Sequence, residues 1–304
     1  MECVLKTFDL GKRFGERWAV RGIDLEVRQG DIFCFLGPNG AGKSTTIRMI
    51  LTLLKPTSGA VQLFGKDPHK NRREALSRVC GIVEKPDFYL YLTAYKNLEL
   101  LGSLTRRVKA KEIMAALSRV GLKQRAHDRV RTFSHGMKQR LGIAQALLTG
   151  PELIILDEPT TGLDPQGMKE VRELIRRLAR EEGMTVFLSS HLLSEIEQVA
   201  TRMAVVHRGR VVAQGQIAEL LDKEATDYAL QALPVKETLK IIKQLPWVKI
   251  ISSDAKGIEL RLEPGCAAEL NKVLVAKGIE VAALYPRRTL EDFFLRVTKG
   301  APEI

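Results

Sequence analysis

The sequence predicts an α/β fold with a mainly parallel sheet, followed by a small α+β domain. The apolar run Ile32–Leu36 leads into the glycine-rich stretch 37–45, and helical patterning starts at Thr46. Further along, Leu153–Leu156 is continuously apolar rather than alternating, which is typical of a parallel strand that is covered on both faces. Because strands and helices alternate along this part of the chain, we expect one sheet with helices packed on it.

Two regions flank this core pattern. Residues 3–35 contain short β-forming runs separated by glycines, which predicts a small antiparallel sheet ahead of the glycine-rich stretch. Residues 93–150 have helical patterning with few β-formers, so we expect a largely helical insertion there. The short elements predicted between the helix at Thr46 and this insertion are a strand at 60–64, a helix at 72–79 and a strand at 80–83.

The alternation of strands and helices resumes after the helical insertion. Pro165 suits the first turn of a helix and Gly183 suits its end, which predicts a helix at 165–182. The other elements predicted after Leu153–Leu156 are a strand at 185–191, a helix at 192–200, and strands at 203–207 and 210–213.

Beyond about residue 221 the order of elements changes. It becomes strand, helix, strand, strand, helix, strand, which is the ferredoxin-like order, and a last helix follows. These elements are predicted at 227–232, 235–244, 247–252, 258–262, 266–277, 279–285 and 289–297. We therefore predict two domains, 1–220 and 221–304, and the second one contains no cluster of catalytic residue types.

The composition of the 304 residues is that of a globular protein without a membrane span. The apolar content is 45%, and no run approaches the roughly 20 apolar residues that cross a bilayer. The first residues lack a signal-peptide pattern, and the four cysteines lie far apart, so we expect free thiols in a reducing cytoplasm. A net charge of +12 attracts anions such as nucleotides and lipid headgroups. Because the basic residues are scattered rather than gathered in an arm, no nucleic acid partner is expected.

The stretch 37–45 matches the pattern G-x-x-x-x-G-K-[ST] in the strand–loop–helix context that this motif requires. Its glycines let backbone N–H groups converge on a phosphate, and the helix N-terminus adds positive potential. Lys43 supplies a mobile charge for the β- and γ-phosphates of a nucleotide such as ATP, and the Ser44 hydroxyl suits Mg²⁺. The alternative, a glycine-rich turn that binds nothing, does not explain the flanking strand and helix. The residues predicted to contact nucleotide are Gly37, Pro38, Asn39, Gly40, Ala41, Gly42, Lys43, Ser44 and Thr45.

Two acidic residues follow the apolar strand at Leu153–Leu156. Asp157 can hold Mg²⁺, directly or through water, and Glu158 can polarise the water that attacks a γ-phosphate. A buried strand that ends in two acids is costly unless they meet a cation, which favours this role over a structural one. His191 ends another predicted strand, where it can reach the same phosphate, and a purely structural histidine is the alternative.

Three further motifs complete a pattern. They are Phe133-Ser134-His135-Gly136-Met137, Thr161-Gly162-Leu163-Asp164, and the Ser-Ser-His that ends at His191. Together with stretch 37–45, they make residues 2–220 resemble the ATP-binding subunit of ABC transporters, whose fold is that of a P-loop ATPase. The first motif is similar to the family's signature motif, with His135 and Met137 in place of a glycine and a glutamine.

This resemblance implies roles for individual residues. Ser134 and Gly136 match the phosphate-contacting positions of the signature motif, and Asp164 matches the D-loop. His191 matches the switch histidine, which places it beside Lys43 and Glu158 among the expected catalytic residues. Phe14 matches the family position at which an aromatic ring stacks on adenine. The residues alone predict a hydrophobic turn residue there.

One residue departs from the pattern of most of the family. Glu84 stands where most members have a glutamine that contacts Mg²⁺, and a carboxylate is also a suitable ligand for this ion, beside Ser44 and Asp157. Glu84 and the residues up to Ala94 resemble the bacitracin-type and lantibiotic-immunity exporters of the ABC-2 type. The end of the chain, including Thr289 and Leu290, is similar to the C-terminal extension of such exporter subunits.

The resemblance also implies partners. Two copies are expected to face each other head to tail, with ATP between the Lys43 loop of one copy and Ser134 and Gly136 of the other. A separate transmembrane permease subunit is expected to dock near residues 84–92, which would hold the chain at the cytoplasmic face of the membrane. Tyr89 and Tyr91 would line that interface, because the cores of protein interfaces favour aromatic residues. Packing of these tyrosines in the protein core is the alternative.

The leading functional hypothesis is an ATPase subunit of an exporter for a peptide, antibiotic, lipid or other hydrophobic compound. One alternative is a soluble ABC ATPase that acts on ribosomes or nucleic acid, and a second is an importer ATPase with a regulatory C-terminal domain. The sequence disfavours the first alternative, because it has one ATPase unit and no long charged linker, clustered cysteines or heptad runs. It leaves the second open, because importers use the same ATPase chemistry.

Overall fold

A computed structural model describes residues 2–84, 86–222, 227–254, 257–263, 265–286 and 290–299. The chain divides into two compact units, with the boundary between Ile217 and Ala218 and the end of the second unit at Arg296. Lys85 and Thr289, which belong to the segments discussed above, lie outside the described residues. None of the described helices is both long enough and apolar enough to pass through a bilayer.

The described residues of the first unit form nine strands. They are β1 Cys3–Phe14, β2 Arg17–Arg28, β3 Ile32–Leu36, β4 Ser58–Leu63, β5 Val79–Ile82, β6 Leu153–Leu156, β7 Thr185–Ser190, β8 Arg202–His207 and β9 Arg210–Gln216. Six of them form one sheet in the order β5-β6-β7-β3-β8-β9, parallel from β5 to β8, with β9 antiparallel at the edge. All residues of β3, β6 and β7 are buried, as expected for strands covered on both faces. The predicted parallel sheet is confirmed.

The helices of this unit agree with the predicted pattern in most places. They are α1 Lys43–Ile50, α2 Arg72–Ala75, α3 Ala94–Ser103, α4 Ala110–Arg119, α5 His135–Leu147, α6 Pro165–Glu182, α7 Leu193–Val199 and, at the boundary, α8 Ile217–Asp222. Residues 93–150 contain α3, α4 and α5, so the helical insertion is confirmed. Helix α2 is shorter than predicted, because the chain turns at residues 76–78 so that β5 can pair with β6.

The antiparallel sheet near the N-terminus has longer strands than predicted. It has the order β2-β1-β4, and β1 and β2 each run through 12 residues. Gly11 and Gly22 lie inside these strands, near register shifts of the β1–β2 pair, rather than between strands. A Cβ atom on Gly11 would lie 2.4 Å from the Ser58 hydroxyl, and Gly22 has φ of +65°. These glycines therefore allow β-bulges within continuous strands.

In the second unit, the described residues form a four-stranded antiparallel sheet with helices. Its elements are β10 Asp227–Leu233, α9 Val235–Ile242, β11 Val248–Asp254, β12 Gly257–Leu262, α10 Ala267–Ala276, β13 Glu280–Pro286 and, as far as Arg296, α11 Leu290–Lys299. The strand order is β11-β12-β10-β13, which confirms the ferredoxin-like arrangement predicted for this part. A core of its own, including Leu230, Leu260 and Leu270, packs α9 and α10 against the sheet.

We predict that Leu153→Ala lowers the free energy of unfolding by about 2–5 kcal/mol, because it leaves a cavity under the central sheet. Leu153 is fully buried in β6. Leu104→Ala makes the same chemical change at a side chain that is 79% exposed, and it should stay within about 0.5 kcal/mol of the wild type. Denaturant unfolding measures both variants, and equal losses would contradict this account of the core.

Candidate active site

The glycine-rich loop between β3 and α1 has a backbone that only glycine accommodates at two positions. A Cβ atom on Gly37 would lie 2.3 Å from the Val206 carbonyl oxygen, and one on Gly42 would lie 2.7 Å from that of Ala19. Gly42 also has φ of +101° at the N-terminus of α1. The first N–H groups of a helix have no partner within it, and no acidic residue stands in the first turn of α1. The loop and helix end therefore suit an anion.

The other residues of this loop lie at its tip and in the first turn of α1. Pro38, Asn39 and Gly40 are exposed, while Ser44 and Thr45 are half-buried in the first turn of α1. Ala41 is buried, and its N–H donates to the Pro38 carbonyl oxygen at 3.2 Å. The tip of the loop is therefore its most exposed part.

Lys43 is a buried cation that contacts both the loop and the acidic pair. Its side chain is only 6% exposed, and its Nζ donates to the Gly37 carbonyl oxygen at 2.7 Å and to that of Pro38 at 3.2 Å. The same Nζ lies 3.1 Å from Oε1 of Glu158. The structure therefore brings the loop lysine and the strand-end glutamate together, although 115 positions separate them in the sequence.

Ser189 fixes both acidic residues after β6. Its hydroxyl donates to Oδ1 of Asp157 at 2.6 Å and accepts from the N–H of Glu158 at 2.8 Å. Ser189 is fully buried at the end of β7. The sequence predicts no role for this serine, and its place in the Ser-Ser-His motif is the signal that points to it.

The Glu158 carboxylate stands at the centre of a group of donors. Its Oε2 accepts from the Thr161 hydroxyl at 2.8 Å and lies 2.7 Å from Nδ1 of His191, while Oε1 faces Lys43. Burial raises the pKa of Glu158, but the hydrogen bonds from Thr161, Lys43 and His191 outweigh burial, so the pKa lies below its ordinary value. Glu158 is therefore ionised at neutral pH. His191, which the sequence placed at the end of a strand, is part of this group.

Ser134 and Asp164 cap two helices whose N-termini lie side by side. The Ser134 hydroxyl accepts from the N–H of Met137 at 3.2 Å at the start of α5, and Oδ1 of Asp164 accepts from the N–H of Gly167 at 3.3 Å at the start of α6. A Cβ atom on Gly136 would lie 3.2 Å from Cα of Gly167, so the two helix ends nearly touch. Among the described residues, no hydrogen bond joins Ser134 or Asp164 to the Lys43–Glu158 group.

Glu84 and Phe14 lie outside the group around Glu158. The Glu84 side chain is 70% exposed, and its carboxylate forms an ion pair with Arg48 of α1. Within the described residues it makes no hydrogen bond to Lys43 or Asp157. Phe14 is 53% exposed, and with Gly40 it lines a surface cavity of about 890 Å³. Its ring is therefore open to a ligand of the glycine-rich loop rather than packed in the core.

Tyr89 and Tyr91 are exposed, which excludes core packing for both. Tyr89 is 46% exposed and Tyr91 67% exposed, and their rings meet edge to face with centroids 6.0 Å apart. The fully buried Asn97 holds this segment. Its side chain accepts from the Tyr89 N–H at 2.9 Å and donates to the Tyr89 carbonyl oxygen at 3.1 Å. The two rings thus stand on a backbone that is fixed from inside.

Comparisons with known proteins identify the family. Residues 20–161 match the family described as ABC transporter. The chain is 41% identical over 302 residues to the bacitracin transport ATP-binding protein BcrA of Bacillus licheniformis, with 99% of each chain covered. It is 38% identical over 211 residues to the lantibiotic transport ATP-binding protein SrtF of Streptococcus pyogenes, with 69% of this chain and 90% of the relative covered.

A solved structure agrees with these relatives. The dimeric structure of a bacterial ABC transporter cassette is similar with a TM-score of 0.62 and 25% identity, over 70% of this chain and 98% of the cassette. The resemblance drawn from the sequence motifs is confirmed. This chain therefore belongs to the ABC transporter family as an ATP-binding subunit, an ATPase whose hydrolysis of ATP is coupled to transport.

Proposed function

We propose that the chain drives an exporter of a peptide, antibiotic, lipid or other hydrophobic compound, by hydrolysing ATP at Glu158 and acting on a separate transmembrane subunit. The observation that carries the chemistry is the Glu158 carboxylate, held between Lys43, Thr161 and His191. Export is supported by the full-length similarity to a protein named for bacitracin transport, since the matched region includes the second unit. No observation favours a role on ribosomes or nucleic acid.

The first step is binding of the nucleotide. We assign the phosphates to the loop 37–45 and the adenine to the exposed ring of Phe14, because both line the same cavity at Gly40. Lys43 then exchanges its bonds to the Gly37 and Pro38 carbonyl oxygens for bonds to the β- and γ-phosphates. After this exchange the buried Lys43 ammonium still has hydrogen-bond partners. A buried cation requires such partners.

We propose that oxygen donors beside the loop hold Mg²⁺. This ion prefers one or two carboxylates together with substrate phosphates, and the proposed ligands are the Ser44 hydroxyl and the carboxylates of Asp157 and Glu84. Ser189 occupies Oδ1 of Asp157, and Oδ2 has no hydrogen-bond partner among the described residues. When bound, Mg²⁺ neutralises charge on the β- and γ-phosphates.

Hydrolysis requires a base, and Glu158 has the required charge state. Since its pKa lies below the ordinary value, the carboxylate is ionised at neutral pH and can accept a proton from a water that attacks the γ-phosphate. His191 contacts Oε2 of Glu158 and is proposed to donate to the γ-phosphate as a second catalytic residue. Lys43 offsets the negative charge that develops.

The site needs a second copy of the chain to be complete. Ser134, Gly136 and Asp164 lie at helix N-termini suited to a phosphate, yet no hydrogen bond of the described residues joins them to the Lys43 loop. In a head-to-tail dimer, ATP bound at the loop of one copy would meet these residues of the other. The similarity to a dimeric cassette supports this arrangement. ATP then holds the copies together, and hydrolysis at Glu158 lets them separate.

We further propose that residues 1–220 form the ATPase domain, with its helical insertion at about 93–150, and that residues 221–304 form an accessory domain. The transmembrane subunit docks near Glu84–Leu92, where Tyr89 and Tyr91 offer exposed aromatic surface on a fixed backbone. This contact would hold the chain at the cytoplasmic face of the cell membrane.

Glu158→Gln should retain ATP binding and accumulate as an ATP-bound dimer, because it loses the proposed base and keeps the shape of the side chain. Chromatography with light scattering in ATP measures the dimer, and phosphate release measures turnover. Glu152→Gln is the matched control. Glu152 is an exposed glutamate that directly precedes β6 and forms an ion pair with Arg78. Turnover of Glu158→Gln at the wild-type rate would refute the role of Glu158.

The lowered pKa of Glu158 predicts how acid affects stability. A glutamate whose pKa is lower in the folded chain than its ordinary value of 4.5 stabilises the fold above that value, and this contribution is lost as the pH falls through the folded-state pKa. The stability difference between the wild type and Glu158→Gln should therefore shrink as the pH falls below 4.5. Denaturant unfolding at several pH values measures it, and a constant difference would contradict the lowered pKa.

Tyr89→Ala combined with Tyr91→Ala should reduce co-purification with the transmembrane subunit and spare ATP binding, because both side chains lie outside the phosphate loop. Affinity capture of the tagged chain from membranes measures assembly, and nucleotide titration measures ATP binding. Tyr285→Ala is the control, since this tyrosine in the second unit is 48% exposed, close to the 46% of Tyr89. Unchanged capture of the transmembrane subunit would count against docking at the two tyrosines.

A further inference from the structure

A buried carboxylate lies next to the two chain segments that carry Glu158 and His191, and it takes no part in the chemistry proposed above. Glu195, on α7, is only 6% exposed. Its Oε2 accepts from the Thr160 hydroxyl at 2.5 Å and from the Ser190 hydroxyl at 3.4 Å. Its Oε1 has no hydrogen bond and lies 3.8 Å from Nη1 of Arg172 on α6. Burying a carboxylate costs free energy unless the carboxylate is paired. The burial of Glu195 therefore indicates that its contacts have a role.

The two hydroxyl partners belong to the two segments that carry the proposed catalytic pair. Thr160 lies two residues after Glu158, in the segment that follows β6, and Ser190 directly precedes His191 at the end of β7. One oxygen of Glu195 therefore joins both segments. The Ser190 hydroxyl also accepts from the N–H of Leu192 at 3.0 Å, which fixes the turn in which His191 lies.

We propose that Glu195 is a positioning residue for ATP hydrolysis. It holds the segments of Glu158 and His191 so that Nδ1 of His191 stays within 2.7 Å of Oε2 of Glu158, and it does not itself touch the nucleotide. This inference rests on the proposed roles of Glu158 and His191. Displacement of a reacting group by about 1 Å can cost on the order of 10²-fold in rate, so small movements of these segments matter.

The contacts also explain why a carboxylate stands at this position. Oε2 accepts two hydroxyl protons, and Oε1 faces a guanidinium, so both oxygens meet positive partners. An amide in the same place would present its NH₂ group either to Arg172 or to the hydroxyl of Thr160. In the first case two donors face each other, and in the second the hydroxyl loses its acceptor.

The test compares ATP hydrolysis by the purified full-length chain and its variants. Glu195→Ala and Thr160→Val should each lower kcat about 10- to 100-fold, because both break the link between the two segments. The KM for ATP should stay within about threefold, because the Lys43 loop is untouched. Thr160→Ser keeps the hydroxyl and should recover most of the kcat lost in Thr160→Val.

A double variant tests whether the two residues act as one unit. If they do, Glu195→Ala with Thr160→Val lowers kcat no further than the more damaged single variant, whereas independent effects multiply. The matched control is Asp31→Asn. Asp31 is 8% exposed, its Oδ2 lies 3.6 Å from Nη1 of Arg202, and it precedes the start of β3, away from the strand ends that carry the site. Its kcat should equal that of the wild type.

The outcomes separate this inference from the proposed function. Wild-type kcat in Glu195→Ala or Thr160→Val, multiplying effects in the double variant, or an equal loss in Asp31→Asn would overturn the positioning role. If Glu195→Ala fails to fold, the comparison of Thr160→Val with Thr160→Ser decides. Hydrolysis by Glu158→Gln at the wild-type rate would instead overturn the proposed base, whatever Glu195 does.

Discussion

The parallel pairing of β3, β6 and β7 is the constraint on which the rest of the site depends. Leu36 pairs with Ser190 and Leu156 pairs with Leu188, so the three strands end at the same edge of the sheet. Chain segments that are far apart in the sequence then leave the sheet side by side. The glycine-rich loop follows β3, the acidic pair follows β6 and His191 follows β7. In open α/β sheets, ligands bind at this edge. Here the register of the strands explains why the three segments meet at it.

Charge compensation within a buried region organises the side chains at that edge. A cation or carboxylate taken out of water costs several kcal/mol unless it is paired and hydrogen-bonded. Lys43 meets Glu158 and two carbonyl oxygens, and Asp157 meets Ser189. Lys43 and Asp157 therefore each have at least one ion-pair or hydrogen-bond partner within the chain. The same requirement explains why the neutral Ser189 hydroxyl lies between the two acids, where it donates to one and accepts from the backbone of the other.

Sequence patterns predicted those parts of the structure that local signals determine. The helix α6 starts at Pro165 and ends before Gly183, as its end residues indicated, and the continuous apolar run became the buried strand β6. The full lengths and bulges of β1 and β2 and the early end of helix α2 were not predicted, because strand pairing with distant residues decides them. For the candidate site, motifs identified Lys43, Glu158 and His191 one by one, and their contacts needed the fold. The hydrogen bond between Thr160 and Glu195 joins residues 35 positions apart, and no pattern in the sequence predicts it.

Glu84 shows how the remaining departure from the family pattern fits this electrostatic scheme. An amide at this position would carry no charge, whereas the carboxylate pairs with Arg48 on the helix that follows the glycine-rich loop. Exposed ion pairs of this kind contribute about 0–1 kcal/mol, so Arg48 can give up the carboxylate to a divalent cation at small cost. A carboxylate places a full negative charge next to the cation, whereas an amide offers only a dipole. Because the ion's own charge dominates such a site, the cation is stabilised more by the carboxylate. Glu84, the proposed Mg²⁺ ligand, thus has only a weak ion-pair partner on α1.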